Sequence, residues 1–291
     1  MKSTATLLLI AAMGLAAFKS DKPAYALYDN EGKKVKYEKM IENISKTDVV
    51  FFGELHDNPI SHWLEYEVTA DLHRTAGDRL VLGAEMFEAD NQLLLDEYLS
   101  KAYEADKFEA EVKLWKNYKT DYKPLVEFAR KNNLPFIATN VPRRYASIVS
   151  KKGLESLDSL PDESKRFIAP LPIHYDPEVR SYKDMMQMTG MPGMGGKVND
   201  NFPKAQAIKD ATMAHFILKN LDAGKVFIHY NGSFHSENYS GIIHYLKRER
   251  PDIKVSTITT VLQADTDSLK AEYLNTADYI IVVPETMTRT Y

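Results

Sequence analysis

Short runs of apolar residues, separated by longer amphipathic stretches, dominate the hydrophobic pattern of the chain. The runs are near-continuous rather than alternating, which is typical of strands buried on both faces of a parallel sheet. The pattern predicts strands at residues 49–54, 80–87, 135–141, 226–231, 255–262 and 279–283. The intervening stretches have helical spacing, so we expect an α/β fold with a mostly parallel sheet flanked by helices.

Two of the expected helices carry candidate start signals. Asn58 can accept hydrogen bonds from the free N–H groups of a helix N terminus, and Pro59 suits the first helical position. Asp90 is the corresponding candidate cap for the helix after the second strand. The chain should therefore enter a helix directly after each of these two strands.

The alternation of strands and helices breaks down between residues 157 and 203. Prolines and the run MMQMTGMPGMGGK occur there, without a strand pattern. We interpret 157–203 as an insertion of short helices and loops, a lid within one domain of residues 27–291. Flexible thioethers such as that of Met188 adapt to large flat apolar ligands, and an irregular surface loop is the alternative interpretation.

The first residues, MKSTATLLLIAAMGLAAFKS, have the layout of an export signal. Lys2 supplies a positive start, and residues 7–18 form an apolar core too short to span a bilayer comfortably. The sequence Ala24-Tyr25-Ala26 offers a cleavage site, so residues 1–26 are predicted to be a signal peptide. We expect a periplasmic or outer-membrane-associated protein, and an uncleaved amphipathic terminus is the alternative.

Composition excludes several kinds of partner and site. The net charge of −4 over 291 residues gives no basic face for nucleic acid. The chain has no cysteine, so disulfides, thiolate metal sites and a lipid anchor attached through cysteine are all excluded. A metal ion would have to be held by His, Asp, Glu or Tyr.

Polar side chains follow four of the predicted strands. They are Glu54 and His56; Glu85 and Glu88; Asn140, Arg143 and Arg144; and Asn231, Ser233, His235 and Glu237. Because ligands of open parallel sheets bind beyond the carboxyl ends of the strands, these side chains should share one functional edge.

Two of these strand ends have the same G-x-x-H spacing, which ends in His56 and His235. The glycine permits a sharp turn, and the histidine then projects over the sheet edge. Two imidazoles with Glu54 or Glu85 make a candidate site for Mn, Co or Zn, in which a carboxylate serves as general base. Histidines that only cap or hydrogen-bond are the alternative.

Other polar residues near the strand ends allow either a functional or a structural interpretation. Arg143 and Arg144 suit a carboxylate, a phosphate or haem propionates, or alternatively an ion pair with Glu85 or Glu88. His62 fits helix surface or packing better than the site.

The aromatic stripe of Trp115, Tyr118 and Tyr122 indicates core packing rather than a cofactor-binding face.

The segments GELHDNP, GAEMFE, TNVPRR, KDATMAHFI and NGSFHSE together resemble the ChaN-like haem-binding family, in the superfamily of Tiki proteins and erythromycin esterases. The resemblance implies an α/β fold with a helical insertion. It also implies haem bound in cofacial pairs at a dimer interface, with a tyrosine as axial ligand. Tyr175 and Tyr182, in the insertion beside the methionine run, are the candidates.

The same resemblance implies a second activity. Tiki proteins use paired G-x-x-H motifs and a glutamate in metal-dependent proteolysis, and the erythromycin esterases use histidine and glutamate. The matching positions here are His56, His235 and Glu85, with Glu54 beside them. We therefore expect an envelope haem-binding protein that serves haem or iron acquisition with the outer-membrane uptake machinery. The alternative is a metal-dependent hydrolase.

Overall fold

The computed structural model describes residues 22–189 and 200–291. Most of the predicted export signal lies outside the described residues, as does the glycine-rich part of the methionine run, residues 190–199. Met188 belongs to a helix, but its side chain also lies outside what the structure describes.

One sheet of seven strands forms the centre of the described chain. The strands are β1 (Ala26–Asp29), β2 (Val49–Glu54), β3 (Leu80–Glu88), β4 (Phe136–Asn140), β5 (Val226–Gly232), β6 (Val255–Gln263) and β7 (Tyr279–Pro284). Their order is β1-β7-β6-β2-β5-β3-β4, and β1 pairs antiparallel with β7 while the other pairs are parallel. The predicted fold class is confirmed, and the six predicted strands match to within one residue at each end.

Helices cover both faces of this sheet. The α-helices are α1 (Tyr37–Ile44), α2 (Pro59–Ala76), α3 (Gln92–Leu99), α4 (Ala105–Glu111), α5 (Lys123–Asn132), α6 (Arg143–Lys152), α7 (Asp162–Lys165), α8 (Arg180–Thr189), α9 (Asn201–Asn220) and α10 (Ile242–Glu249). Short 3-10 helices lie at Gly77–Arg79, Ala89–Asn91, Leu154–Ser159, Ser233–His235, Glu237–Tyr239 and Ala271–Tyr273, and a π-helix lies at Tyr118–Tyr122. None of the helices in the described part of the chain is long and apolar enough to cross a bilayer.

The near-continuous apolar runs are explained by burial on both faces. In β2, Val50 and Phe52 pack into the core that contains α2, α3 and α5, whereas Val49 and Phe51 pack into the core that contains α9 and α10. A strand with core on each side has no solvent face, so its sequence does not alternate.

The start of α2 is as predicted, and the proposed cap of the next helix is wrong. Oδ1 of Asn58 accepts hydrogen bonds from the backbone N–H groups of Ile60 and Ser61, each at 3.0 Å. Asp90 does not cap α3, because its carboxylate instead accepts a hydrogen bond from Arg144 at 2.6 Å.

The described part of the predicted insertion, residues 157–189 and 200–203, contains helices and no strand. It packs against the sheet's α9 side: Val179 and Tyr182 are buried in the same core as Ala211 and Ile217.

Candidate functional site

The sheet order brings three of the polar strand ends together. β5 lies between β2 and β3, and all three strands run in the same direction. The register pairs Glu54, the last residue of β2, with Gly232, the last residue of β5. Residues far apart in the chain therefore meet at one edge, where Glu54, Glu85 and His235 are all buried.

The His56 imidazole is held closely on two sides. Its Nδ1 lies 2.5 Å from Oε1 of Glu54, and the Trp115 indole meets the ring edge-on with centroids 4.8 Å apart. A Cβ on Gly232 would lie only 2.8 Å from both Cε1 and Nε2 of the ring, so this close approach requires a glycine. Burial lowers the pKa of His56, but the hydrogen bond to Glu54 and the charges of Glu54 and Glu85 together outweigh it, and the net shift is upward.

Both ring nitrogens of His235 face buried carboxylates. Nδ1 lies 2.5 Å from Oδ1 of Asp210, and Nε2 lies 3.3 Å from Oε1 of Glu85. Burial opposes a charged ring, but the two carboxylates outweigh it and raise the pKa of His235 to about 10. The same contact keeps the pKa of Glu85 well below its usual range despite burial.

Glu85 is anchored between the two histidines. Its Oε2 accepts a hydrogen bond at 2.9 Å from the backbone N–H of Gly232, the glycine that the His56 ring faces. Behind His235, the other oxygen of Asp210 accepts a hydrogen bond from the Tyr182 hydroxyl at 2.7 Å. Each imidazole therefore has a carboxylate at Nδ1, which is the arrangement that orients metal-binding histidines.

A second ionisable group lies beneath the first and shares Glu54. Nδ1 of His62 lies 3.0 Å from Oε2 of Glu65 and 3.4 Å from Oε2 of Glu54. Nε2 of His62 lies 3.1 Å from the backbone oxygen of His56 and 3.5 Å from Oδ2 of Asp121. Glu54, His62 and Glu65 offer ligand atoms within 4.8 Å of one another, so they could hold a metal ion.

The two glutamates of this second group have strongly raised pKa values. Burial, followed by the neighbouring charge of Glu65, raises the pKa of Glu54 to about 8. Burial, with a smaller contribution from the charge of Asp121, raises the pKa of Glu65 to about 8 as well. These carboxyl groups are close together and hidden from water, so a single added positive charge would stabilise both.

The comparison with protein families agrees with the motif pattern. The model of the family described as haem-binding uptake, Tiki superfamily, ChaN matches residues 40–246, which is most of the chain. The chain belongs to this ChaN family. The resemblance inferred from the sequence motifs is thereby confirmed.

Several solved structures align with this chain at low sequence identity. ChaN of Campylobacter jejuni, solved with cofacially bound haem, aligns over 89% of this chain and 96% of its own at 17% identity, with a TM-score of 0.65. The type III effector HopBA1 aligns over 85% and 92% at 12% identity, with a TM-score of 0.49. A succinoglycan biosynthesis protein aligns over 87% and 94% at 11% identity, with a TM-score of 0.48. The first match supports the fold alone, the other two carry no argument, and no curated protein matches significantly.

The residues predicted for haem lie apart in this ChaN-family chain. Arg144 pairs with Asp90 rather than with Glu85 or Glu88, whereas Arg143 is exposed at the rim of a cleft. The side chain of Tyr182 is fully buried, with its hydroxyl bonded to Asp210, so in this arrangement it serves the histidine site. The Tyr175 ring is half-buried beside it, with centroids 5.8 Å apart.

Sequence reasoning missed the residues that helices contribute to the site. Tyr122 packs in the core as predicted, but its hydroxyl also donates a 2.7 Å hydrogen bond to Glu54. His62 is buried, as the packing alternative has it, but its ring also contacts Glu54 and Glu65. Glu65 and Asp210 are acids on the buried faces of α2 and α9, next in the sequence to Leu64 and Ala211 respectively. An acidic residue on the buried face of a helix could have indicated this part of the site, because charged residues are rarely buried without a partner.

Proposed function

We propose that this chain is a haem-binding protein of the cell envelope that serves haem or iron acquisition. The observation that carries the proposal is the family match over residues 40–246. The cofacial haem bound by the Campylobacter jejuni protein supports it. The predicted export signal supports an envelope location and contact with the outer-membrane uptake machinery.

The cleft beside His56 has the chemistry that haem requires. It has a volume of about 310 Å³. Its lining consists of Glu88, Lys113, Leu114, Trp115, Lys116, Asn117, Arg143 and Tyr291. An indole and a leucine suit the porphyrin face, and the three cations suit its propionates. We place the haem edge there.

The phenol of Tyr291 is our choice of axial ligand. Its side chain is 63% exposed within that cleft, whereas Tyr182 is fully buried and Tyr175 lies in a different part of the fold, in the core on the α9 side. Burial and the charges of Asp57 and Glu54 raise the pKa of Tyr291, so the free phenol is protonated at neutral pH. Ligation to ferric iron therefore requires proton release, and haem affinity should rise with pH.

A hemin titration tests this assignment. Wild-type protein should give a saturable Soret shift with a tyrosinate-type spectrum, and Tyr291→Phe should lose that spectrum. Tyr175→Phe is the matched control and should keep it, while Arg143→Gln should weaken binding several-fold without changing the spectrum. Absence of a saturable shift in the wild type would refute haem binding. Loss of the spectrum in Tyr175→Phe alone would move the axial ligand to the insertion.

A cofacial pair requires two copies of the chain. Because the cleft is open to solvent at Tyr291, we propose that loaded molecules dimerise face to face across their haems. Sedimentation should show monomers without hemin and dimers at one equivalent per chain. A hemin-loaded monomer would contradict the pairing but not the haem site.

A metal-dependent hydrolase is the second candidate function. It is favoured by the carboxylate that contacts Nδ1 of His56 and of His235. Glu54 and Asp210 occupy Nδ1 of His56 and His235, while the Nε2 edges of both rings face the region around Glu85. A divalent metal ion held in that region would lower the pKa of a bound water molecule, and a carboxylate would act as the general base. The residues present fit a divalent ion.

Metal analysis separates the two candidates. Stoichiometric Mn, Co or Zn that is lost in His56→Ala and His235→Ala, together with peptidase or esterase turnover, would support the hydrolase. Unchanged metal content in both variants would refute an ion at His56, Glu85 and His235.

A further inference from the structure

The group beneath the edge site, Glu54, His62 and Glu65, has unpaired ligand atoms in a fully buried setting. Within the described residues, no donor pairs with Oε2 of Glu54 or Oε1 of Glu65, although the two side chains are 1% and 0% exposed. Unpaired carboxylate oxygens at that depth are costly, because burial removes the water that would otherwise solvate them. An added positive charge would therefore give both oxygens the partner that they lack.

We propose that Glu54, His62 and Glu65 bind one divalent transition-metal ion, at a site separate from His56, Glu85 and His235. The inference does not depend on haem binding or on hydrolase activity. Two carboxylates and one imidazole are ligands that Mn²⁺, Fe²⁺ and Zn²⁺ accept, whereas Ca²⁺ prefers oxygen alone.

The orientation of His62 fits a ligand. Its Nε2 lies 3.1 Å from the backbone oxygen of His56, so Nε2–H donates there. Nδ1 is the ring nitrogen that faces Glu54 and Glu65, and in the neutral form of the ring it carries a lone pair. Without an ion, that lone pair would face carboxylate oxygens; with one, all three point at the same cation. A second ring nitrogen fixed by a backbone carbonyl is the usual support of a metal-bound histidine.

The spacing also fits. Ligands about 2.0–2.2 Å from an ion in tetrahedral geometry lie about 3.4 Å from each other. Nδ1 of His62 lies 3.0 Å from the Glu65 carboxylate and 3.4 Å from that of Glu54. An ion could therefore enter with small movements of the side chains.

The remaining oxygen of Glu54 is held in place by neighbouring residues. Oε1 lies 2.5 Å from Nδ1 of His56 and accepts a hydrogen bond from Tyr122 at 2.7 Å, which leaves Oε2 for the ion. Asp121, held by Asn117 at 2.7 Å, lies behind His62 and adds negative charge. These contacts orient the ligands before an ion arrives.

A cleft leads from the surface to His62. His62 and Asp121 line a cleft of about 610 Å³ on the outer face of α2, together with Pro59, Trp63, Tyr66, Thr120, Pro124 and residues 287–290. An ion could reach His62 through this cleft without unfolding of the sheet, as a binding site requires.

The test compares Glu65→Gln with Glu67→Gln, the same change two positions along α2. Chelator-treated proteins are titrated with Mn²⁺ or Zn²⁺, while bound metal is measured by mass spectrometry and the Tm by circular dichroism. Because an ion that binds only the folded state raises stability, the wild type and Glu67→Gln should gain several degrees on saturation. Glu65→Gln should lose one equivalent of metal, at least tenfold in affinity, and most of the Tm gain. Asp210→Asn, which alters only the edge site, should keep them.

Two outcomes would overturn the site: no metal-dependent rise in the Tm of wild type, or unchanged metal affinity and Tm gain in Glu65→Gln. If Glu65→Gln does not fold, electron paramagnetic resonance of Mn²⁺ in His62→Gln decides. Nitrogen coupling present in wild type should then be lost, and its persistence would contradict ligation by His62.

Discussion

The His56 ring lies so close to Gly232 that no side chain fits at this glycine without a shift. The φ of −54° at Gly232 is open to any residue, so the change to alanine introduces no backbone strain. The added Cβ would lie 2.8 Å from Cε1 and Nε2 of His56. Since carbon atoms in contact stay about 3.5–4.0 Å apart, the ring must retreat by roughly 0.7 Å or rotate.

The cost follows from what holds His56. Its side chain is 35% exposed, so it can swing toward solvent, but it then loses the 2.5 Å contact with Glu54 and its packing on Trp115. Overpacking or the loss of a charge-assisted hydrogen bond costs about 1–3 kcal/mol. With an m-value of about 3 kcal/mol/M, Gly232→Ala should lower the urea midpoint by about 0.3–1 M at unchanged m.

A double-mutant cycle provides the control. In the His56→Ala background the ring is absent, so adding Gly232→Ala should cost nearly nothing. If the alanine costs the same with and without His56, the clash lies elsewhere and the stated geometry of the edge site is wrong. A ring displaced as we expect would also reduce metal or hemin binding at this edge.

Three further predictions concern the surrounding contacts. Asp210→Asn removes one partner of the buried His235 ring and should cost about 3–5 kcal/mol in urea unfolding at pH 6. Because the pKa of His235 is raised from 6.5 to about 10 by folding, its stabilisation is complete below pH 6.5 and fades between 6.5 and 10; Asp210→Asn should show a smaller decline, because Glu85 still faces the ring. Tyr122→Phe removes a buried donor to Glu54 and should cost about 1–2 kcal/mol by the same measurement, a value near zero counting against that bond. Asn58→Ala should lower stability by about 1 kcal/mol through loss of the helix cap, and an unchanged midpoint would contradict that role.

The sheet and its polar edge were predictable because both follow from local pattern. Apolar runs without alternation implied strands buried on both faces, and a parallel sheet then placed Glu54, Glu85 and His235 at one edge. β1 escaped prediction because only two of its four residues are buried, and its pairing with β7 is between distant parts of the chain.

The carboxylate partners of His235 and His62 were less predictable, because they lie on helices, whose positions are not fixed by the register of the strands. Asp210 reaches His235 from α9, and Glu65 reaches His62 by one turn of α2. Each depends on how its helix rotates against the sheet, which packing determines rather than local sequence. The alternative ion pair of Arg144 with Glu85 or Glu88 does not form, for the same reason: the first turn of α6 brings Arg144 to Asp90.

Glu54 links the two groups, and this explains why a single strand end carries so much of the polar chemistry. One of its oxygens holds Nδ1 of His56 and the hydroxyl of Tyr122, while the other faces His62. Because the Glu54 carboxylate contacts both rings, it fixes the distance between the partly exposed His56 imidazole and the buried His62 imidazole. A positive charge bound at His62 would weaken the negative potential at His56 and so lower the pKa of the His56 ring. The edge site and the group of Glu54, His62 and Glu65 should therefore respond to each other's ligands.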